Sequence, residues 1–169
     1  DVLERFERSL QDTTGNRFAT VFDSLSRELD GGLSAKELAM VVAPPGVGKS
    51  LYLVNQGVKA LMENKKVLYI SLEMSEDKIA QRFDSVMTLL FSEKFPNGQL
   101  MIKEFPTGLA NINDVRSLLV QLRNYEDFSP DVILVDYLEL LRPTREGLAE
   151  YQAQQRISEE LRGIAVESN

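Results

Sequence analysis

A glycine-rich stretch that ends in Gly-Lys-Ser holds the residues of this chain best suited to phosphate chemistry. Its sequence over residues 43–51 is APPGVGKSL, between an apolar run and a segment of helical pattern. Gly46 and Gly48 allow a positive φ and a close backbone approach, so consecutive N–H groups can surround a phosphate. The Lys49 ammonium would reach the outer phosphates and the Ser50 hydroxyl would hold Mg²⁺. The stretch therefore predicts a site for a magnesium-bound nucleoside triphosphate.

The motif usually begins with glycine, whereas this stretch begins with Ala43. We expect a methyl group to fit there, because the chain is only starting to turn as it leaves a strand. The alternative is a Gly/Pro turn with a solvated lysine, and the position of the loop between a buried strand and a helix argues against it. The predicted nucleotide-binding residues are Ala43, Pro44, Pro45, Gly46, Val47, Gly48, Lys49, Ser50 and Leu51.

A second candidate is the acid that ends the aliphatic run Val-Ile-Leu-Val. Asp136 follows this run, which Asp131 opens. Ligands bind at the carboxyl ends of parallel strands, and an acid placed there beside Ser50 would contact Mg²⁺ through water. The alternative is an aspartate that only terminates a strand. We predict Ser50 and Asp136 as metal-site residues and Asp136, with Lys49, as catalytic.

Hydrolysis also needs a group that orients or deprotonates water. Many P-loop ATPases carry a Glu directly after the strand-end Asp, but Tyr137 occupies that position here. Strand alternation would turn Glu139 to the opposite face from Asp136. Glu73 ends the run VLYISL at the same predicted edge of the sheet, so it is the better candidate for the catalytic base. The alternative is an exposed acid at the start of the next helix.

Composition excludes several other chemistries. The chain has 169 residues and contains neither Cys nor His, which removes thiolate nucleophiles, zinc–thiolate sites and histidine-based triads. Its 19 basic and 26 acidic side chains give a net charge of −7, so any DNA contact would have to be local. No apolar run approaches the ~18 residues of a membrane helix, and we see no signal peptide. We expect a soluble, cytoplasmic domain, and the missing initiator methionine suggests a fragment.

Strand-like and helix-like patterns alternate along most of the chain. The runs ELAMVVA (37–43), VLYISL (67–72) and DVILVDYL (131–138) are nearly continuous in apolar residues, as in parallel strands buried on both faces, whereas MIKEF (101–105) alternates and is predicted at a sheet edge. Helical apolar stripes follow each strand. We therefore predict an α/β fold: a mostly parallel sheet, helices on both faces and right-handed crossovers.

Four motifs together resemble the ATPase domain of the DnaB family of replicative helicases, which are RecA-like P-loop proteins. They are GGL at 31–33, APPGVGKS at 43–50, SLEMS at 71–75 and VDYLEL at 135–140. The resemblance extends from about Thr20 to the last residue, and SLEMS is its most discriminating part. It implies a RecA-like P-loop NTPase fold, ATP and Mg²⁺ as cofactors, and Glu73 as catalytic base. It also implies a ring hexamer with ATP between subunits, moving along single-stranded DNA, with a primase or loader as possible partners.

The resemblance also divides the chain. Residues 1–16 correspond to a linker helix that docks on a neighbouring subunit and a polar linker, although a helix packed on its own domain is an equal alternative for the first ten residues. Residues 17–169 form the ATPase core. We expect this core to be incomplete, because a strand with a γ-phosphate-sensing Gln, an arginine finger and the DNA-binding loops of the family would come after Asn169. The loop over 142–150 could face the ring channel, but a solvated surface loop is favoured.

The family pattern is not matched everywhere, and other classes stay open. Val21 stands where the family has glycine, Ser26 where it has aspartate and Glu139 where it often has glutamine. One alternative is a RecA-like ATPase that does not unwind DNA, such as a recombinase or clock-protein relative. Another is a helicase loader or scaffold that binds nucleotide without turnover. A GTPase is disfavoured because no Asn/Thr-Lys-x-Asp motif is present, and the ABC signature Leu-Ser-Gly-Gly is missing.

Overall fold

The computed structural model describes residues 1–4, 17–90, 96–144, 147 and 149–167. The helices are α1 (Asp23–Glu28), α2 (Lys49–Met62), α3 (Glu76–Leu90), α4 (Ile112–Tyr125) and α5 (Glu150–Glu167), and the strands are β1 (Lys66–Ser71), β2 (Gln99–Glu104) and β3 (Val132–Asp136). A 3₁₀ turn, Leu138–Leu140, follows β3. Residues 2–4 are helical, but the rest of the predicted linker helix and its polar linker lie outside the described residues.

The sheet is parallel and has β1 at its centre. The strand order is β2-β1-β3, and Ser71 at the end of β1 is in register with Glu104 of β2 and Asp136 of β3. The three carboxyl ends therefore meet at one edge of the sheet. The predictions of a mostly parallel sheet and of MIKEF at its border are confirmed, since β2 pairs only with β1 in the described part of the chain.

Helices cover both faces of this sheet, as the apolar stripes predict. Side chains of α2 and α3 pack with Val67, Tyr69 and Leu134 on one face. Side chains of α4 and α5 pack with Leu68 and Ile70 on the other. The central residues of each apolar stripe are buried, whereas some residues at the helix ends are exposed, namely Leu51, Met62 and Leu90. The alternation of strand side chains thus gives one core on each face.

The prediction of a strand over residues 37–43 is wrong for the described structure. The segment has no regular secondary structure, and Leu38, Met40, Val41 and Val42 are 40–85% exposed. A cleft of about 940 Å³ is lined on one part by this segment and on another by residues 131–137. The segment does not pair with the free edge of β3. An apolar run becomes a strand only where a neighbouring strand completes its hydrogen bonds, and this segment pairs with no strand of the described sheet.

Local signals define the remaining boundaries. Asn111 caps α4, with its side chain accepting from the Asn113 amide while Asp114 accepts from the Asn111 amide; this capping box fixes the helix start. Helix α3 begins directly after Ser75. Within the described ranges, no helix has the length and apolar character needed to cross a membrane.

Candidate functional site

The loop before α2 leads into a helix start that has no side-chain cap. Gly46 has φ 79° and Gly48, the N-cap residue, has φ 98°. A positive φ strains residues that carry a Cβ, so glycine suits both positions. The amides of Lys49, Ser50 and Leu51 donate no hydrogen bond to any described residue. Three unpaired N–H groups at the positive end of a helix dipole form an arrangement that favours an anion.

The loop is open to solvent. Pro44, Pro45 and Val47 are exposed, Ala43 and Ser50 are partly exposed, and a Cβ on Gly46 would meet no atom within 4 Å. The glycines are therefore required by backbone conformation, since space for a side chain is available. Such space beside free amides is what a phosphate needs.

Lys49 is the first residue of α2, and its ammonium lies over an aromatic ring at the end of β3. The distance from Lys49 Nζ to the centroid of the Tyr137 ring is 5.3 Å, within the range of a cation–π interaction. This contact joins the phosphate loop to the residue that follows Asp136. The peptide bond between Asp136 and Tyr137 is cis.

Asp136 is buried with one carboxylate oxygen bonded and the other free. Its side chain lies on the α2 face of the sheet, together with Leu134, and is 2% exposed. Oδ2 accepts a 2.7 Å hydrogen bond from the Tyr69 hydroxyl, while Oδ1 has no partner in the described part of the molecule. Asp136 and Lys49 line the same cleft. A buried oxygen without a partner is costly, so this atom is suited to receive a donor from a bound group.

Glu73 lies two residues beyond β1, at the carboxyl edge of the sheet. Its position is set by the pairing of β1 with β3, which continues as the Leu72 amide donates to the Asp136 carbonyl over 2.8 Å. The chain then turns as the Ser71 hydroxyl bonds to both backbone groups of Met74. The Glu73 side chain is exposed. Desolvation, followed by the charges of Glu73, Glu139 and Asp136, raises the pKa of the Tyr137 phenol.

Glu139 cannot be placed by strand alternation, contrary to the sequence argument. The strand ends at Asp136, and Glu139 belongs to the 3₁₀ turn, where the two-residue periodicity no longer applies. Its side chain is exposed and lines the cleft. Part of the loop over 142–150, for which the sequence favours a solvated surface loop, lies outside the described residues, and the amide of Arg142 donates to the Ala110 carbonyl.

The sequence predicts a divalent cation at this site, with Ser50 and Asp136 as its protein ligands. No group of three or more acidic side chains within the described ranges could hold a metal. Ser50, in the first turn of α2, and Asp136, with its free Oδ1, each offer an oxygen donor. This donor set fits Mg²⁺, which keeps several waters and takes further ligands from substrate phosphates.

Two tyrosines at this site were not recognised from the sequence. Tyr69 bonds to Asp136, and Tyr137 contacts Lys49. Tyr69 lies inside an apolar run, where an aromatic side chain is ordinary core material. The one signal in the sequence is the Tyr69 hydroxyl, because a buried tyrosine hydroxyl usually requires a hydrogen-bond partner.

The fold and the site are those of the class of P-loop nucleotide-binding proteins: a parallel sheet, a glycine-rich loop before a helix, and acids at the carboxyl ends of adjacent strands. A family model described as the DnaB-like helicase C-terminal domain matches residues 18–169. The chain therefore belongs to the DnaB-like helicase C-terminal domain family, as the four motifs predict.

Relatives and a solved structure agree with this family. The chain is 33% identical over 168 residues to the DnaB-like replicative helicase of Enterobacteria phage T4, covering 85% of this chain and 35% of the phage protein. It is 25% identical over 162 residues to the replicative DNA helicase DnaB of Synechocystis, covering 83% of this chain and 18% of the relative. The chain thus spans about a third or less of these proteins.

The fold resembles that of a solved DnaB-like replicative helicase, which was studied for its interactions with primase. The TM-score is 0.74 at 17% identity, and the match covers 99% of this chain and 46% of the other. At this identity the likeness concerns the fold. It confirms the predicted RecA-like architecture.

Proposed function

We propose that this chain is the motor core of a replicative-type DNA helicase, which binds MgATP and hydrolyses it to move along single-stranded DNA. The observation that carries the proposal is the meeting, at one sheet edge, of uncapped amides, the Lys49 ammonium and a buried carboxylate with a free oxygen. Membership of the DnaB-like family supports the choice of this reaction among those open to P-loop proteins.

In the proposed mechanism, the loop over 43–48 and the first amides of α2 hold the phosphates, and Lys49 leaves the Tyr137 ring to bind the outer ones. Ser50 and Asp136 would hold Mg²⁺, Asp136 through water, and the bound ion would neutralise charge on the phosphate oxygens. Glu73 accepts a proton from the attacking water. The water oxygen bonds to the γ-phosphorus as the bond to the bridging oxygen breaks, which yields ADP and phosphate.

The proposed assembly is a ring hexamer with ATP between subunits. The exposure of Glu73 and of the phosphate loop supports a site that a neighbouring subunit completes. Single-stranded DNA in the ring, and a primase or loader on it, are proposed partners; the primase is suggested by the solved neighbour studied with primase. The acidic net charge of −7 implies that DNA contacts are local within the ring.

The test is the substitution Glu73→Gln in the full-length protein, with ATP turnover and ATP binding measured separately. We expect turnover to fall by about 10²–10⁴-fold, the usual contribution of a general base, while the Kd for MgATP changes little. The matched control is Glu126→Gln, an exposed acid at the end of α4, which should leave both values unchanged.

The alternatives give different results in the same experiment. An unchanged rate in Glu73→Gln would refute this residue as the base. A wild-type protein that binds ATP without turnover would favour a loader or scaffold. ATP turnover that single-stranded DNA does not stimulate would favour a RecA-like ATPase without unwinding activity.

A further inference from the structure

We propose that Tyr69 is a positioning residue of the nucleotide site: its buried hydroxyl holds the Asp136 carboxylate so that Oδ1 stays available to a water of the Mg²⁺ ion. The inference rests on the proposed function, because it assigns a role to Asp136 at that site. It concerns a side chain outside the four sequence motifs.

The contact between the two residues follows from the register of the central strands. Tyr69 is opposite Leu134 and Ser71 is opposite Asp136, so Tyr69 and Asp136 are diagonal neighbours on the same face of the sheet. The Tyr69 hydroxyl donates to Asp136 Oδ2 over 2.7 Å, and both residues are at most 2% exposed. A buried, charge-assisted hydrogen bond of this length restricts the carboxylate to one orientation.

The aromatic ring is itself held by its neighbours, so the hydroxyl cannot easily follow a moving carboxylate. The Tyr69 ring meets Phe83 of α3 edge to face, with 5.7 Å between centroids and planes at 90°. Both rings are fully buried in the core between the sheet and α2 and α3. In a packed core, a rotation of Tyr69 would require these helices to repack.

The second carboxylate oxygen of Asp136 indicates that this residue does more than pack in the core. A buried carboxylate that served only the core would be expected to have both oxygens satisfied. Here Oδ1 has no partner among the described residues, and Asp136 lines the cleft that also contains Lys49. Tyr69 therefore occupies one oxygen of Asp136 and leaves the other without a partner, in a residue that lines the cleft.

The experiment compares Tyr69→Phe with the wild type in the full-length protein. The Kd of a fluorescent ATP analogue is measured with EDTA and across a Mg²⁺ titration, together with the thermal stability of the ligand-free protein. Loss of an outer-shell partner typically costs about 10–100-fold in metal affinity. We expect the Mg²⁺ concentration for half-maximal nucleotide binding to rise by about tenfold or more, with the Kd in EDTA unchanged. Tyr125→Phe, at a residue 84% exposed, is the control.

A double-mutant comparison separates positioning from plain core packing. If Tyr69 acts through Asp136, its effect on the Mg²⁺ requirement disappears when Tyr69→Phe is added to Asp136→Asn. A Tyr69→Phe protein with a lowered melting temperature and a wild-type Mg²⁺ requirement would overturn the inference while leaving the proposed function standing. Absence of nucleotide binding by the wild type would overturn both.

A second variant keeps the test decisive if Tyr69→Phe does not fold. Phe83→Leu removes the ring that packs against Tyr69 and leaves the hydroxyl in place. A loosened Tyr69 is expected to raise the Mg²⁺ requirement in this variant as well. An unchanged requirement in Phe83→Leu would contradict the positioning role.

Discussion

At the scale of single residues, the contact between Lys49 and Tyr137 explains how a cation is kept at the phosphate loop before nucleotide binds. An ammonium 5.3 Å from the ring centroid gains about 0.5–1 kcal/mol when the site is exposed. Hydrogen bonds to charged groups are worth about 1.5–3 kcal/mol. The lysine is therefore expected to leave the ring for phosphate oxygens when ATP enters.

The corresponding prediction is that Lys49→Ala weakens ATP binding by one to two orders of magnitude, the equivalent of about 1.5–3 kcal/mol. Isothermal titration of the full-length protein with ATP and Mg²⁺ measures this. Lys78→Ala, an exposed lysine in the first turn of α3, should bind as the wild type does. Equal affinities for both variants would remove Lys49 from the site.

The candidate site could be predicted from the sequence only as far as its residues belong to local motifs. Gly46, Gly48 and Lys49 lie within one short stretch, residues 46–49, whose geometry follows from residue type. The partnership of Tyr69 with Asp136 depends on the register between two strands 67 positions apart along the chain, and no single stretch of sequence specifies it. The assignments of Glu73, Ser50 and Asp136 to catalysis and metal binding remain predictions.

At the scale of secondary-structure elements, the packing of α2 on the sheet sets the place of the phosphate loop. Gly57 faces the ring of Phe83 on α3, and a Cβ there would lie 2.7 Å from two ring atoms and 3.1 Å from Leu134 Cδ1. The absence of a side chain lets α2 approach α3 and β3 closely. The start of α2, and with it Lys49, is thereby fixed relative to Asp136 on β3.

We predict that Gly57→Ala destabilises the protein by about 1–3 kcal/mol, the usual cost of overpacking a core, as measured by urea denaturation. Gly163→Ala is the matched control, because a Cβ on this glycine of α5 would meet only side-chain ends, at 3.6 and 3.8 Å. There the higher helix propensity of alanine should stabilise by about 0.5–1 kcal/mol. Equal effects of the two substitutions would contradict the proposed close packing of α2.

Element prediction was correct where an apolar run finds its partners within the described chain. The runs that became β1, β2 and β3, and the stripes of α2 to α5, are confirmed. The run over 37–43 is also rich in apolar residues, but it has no ladder partner in the described sheet. Composition reports how apolar a strand would be, whereas pairing decides whether it forms.

At the scale of the whole molecule, the chain spans 35% of the phage T4 helicase and 46% of the solved DnaB-like helicase chain. The proposed site is exposed at Glu73 and at the phosphate loop. Arginine fingers supplied by a neighbouring protein contribute about 10³–10⁵ in rate. A ring assembly would therefore supply most of the catalytic power of the proposed motor.

The prediction at this scale is that the 169-residue chain alone hydrolyses ATP slowly, whereas the full-length protein is faster by about 10³-fold or more and is stimulated by single-stranded DNA. Steady-state phosphate release at equal site concentrations compares the two. Vigorous hydrolysis by a monomeric preparation of the short chain would contradict a site completed between subunits.

The central claim is that the first amides of α2 and the acids of two neighbouring strand ends bind one nucleotide. The most direct measurement is a crystal structure of the full-length protein with Mg²⁺ and a slowly hydrolysed ATP analogue. We predict phosphate oxygens at the amides of Lys49, Ser50 and Leu51, with Asp136 and Glu73 facing the γ-phosphate end. A nucleotide bound elsewhere, or both acids pointing away from an occupied loop, would contradict the account.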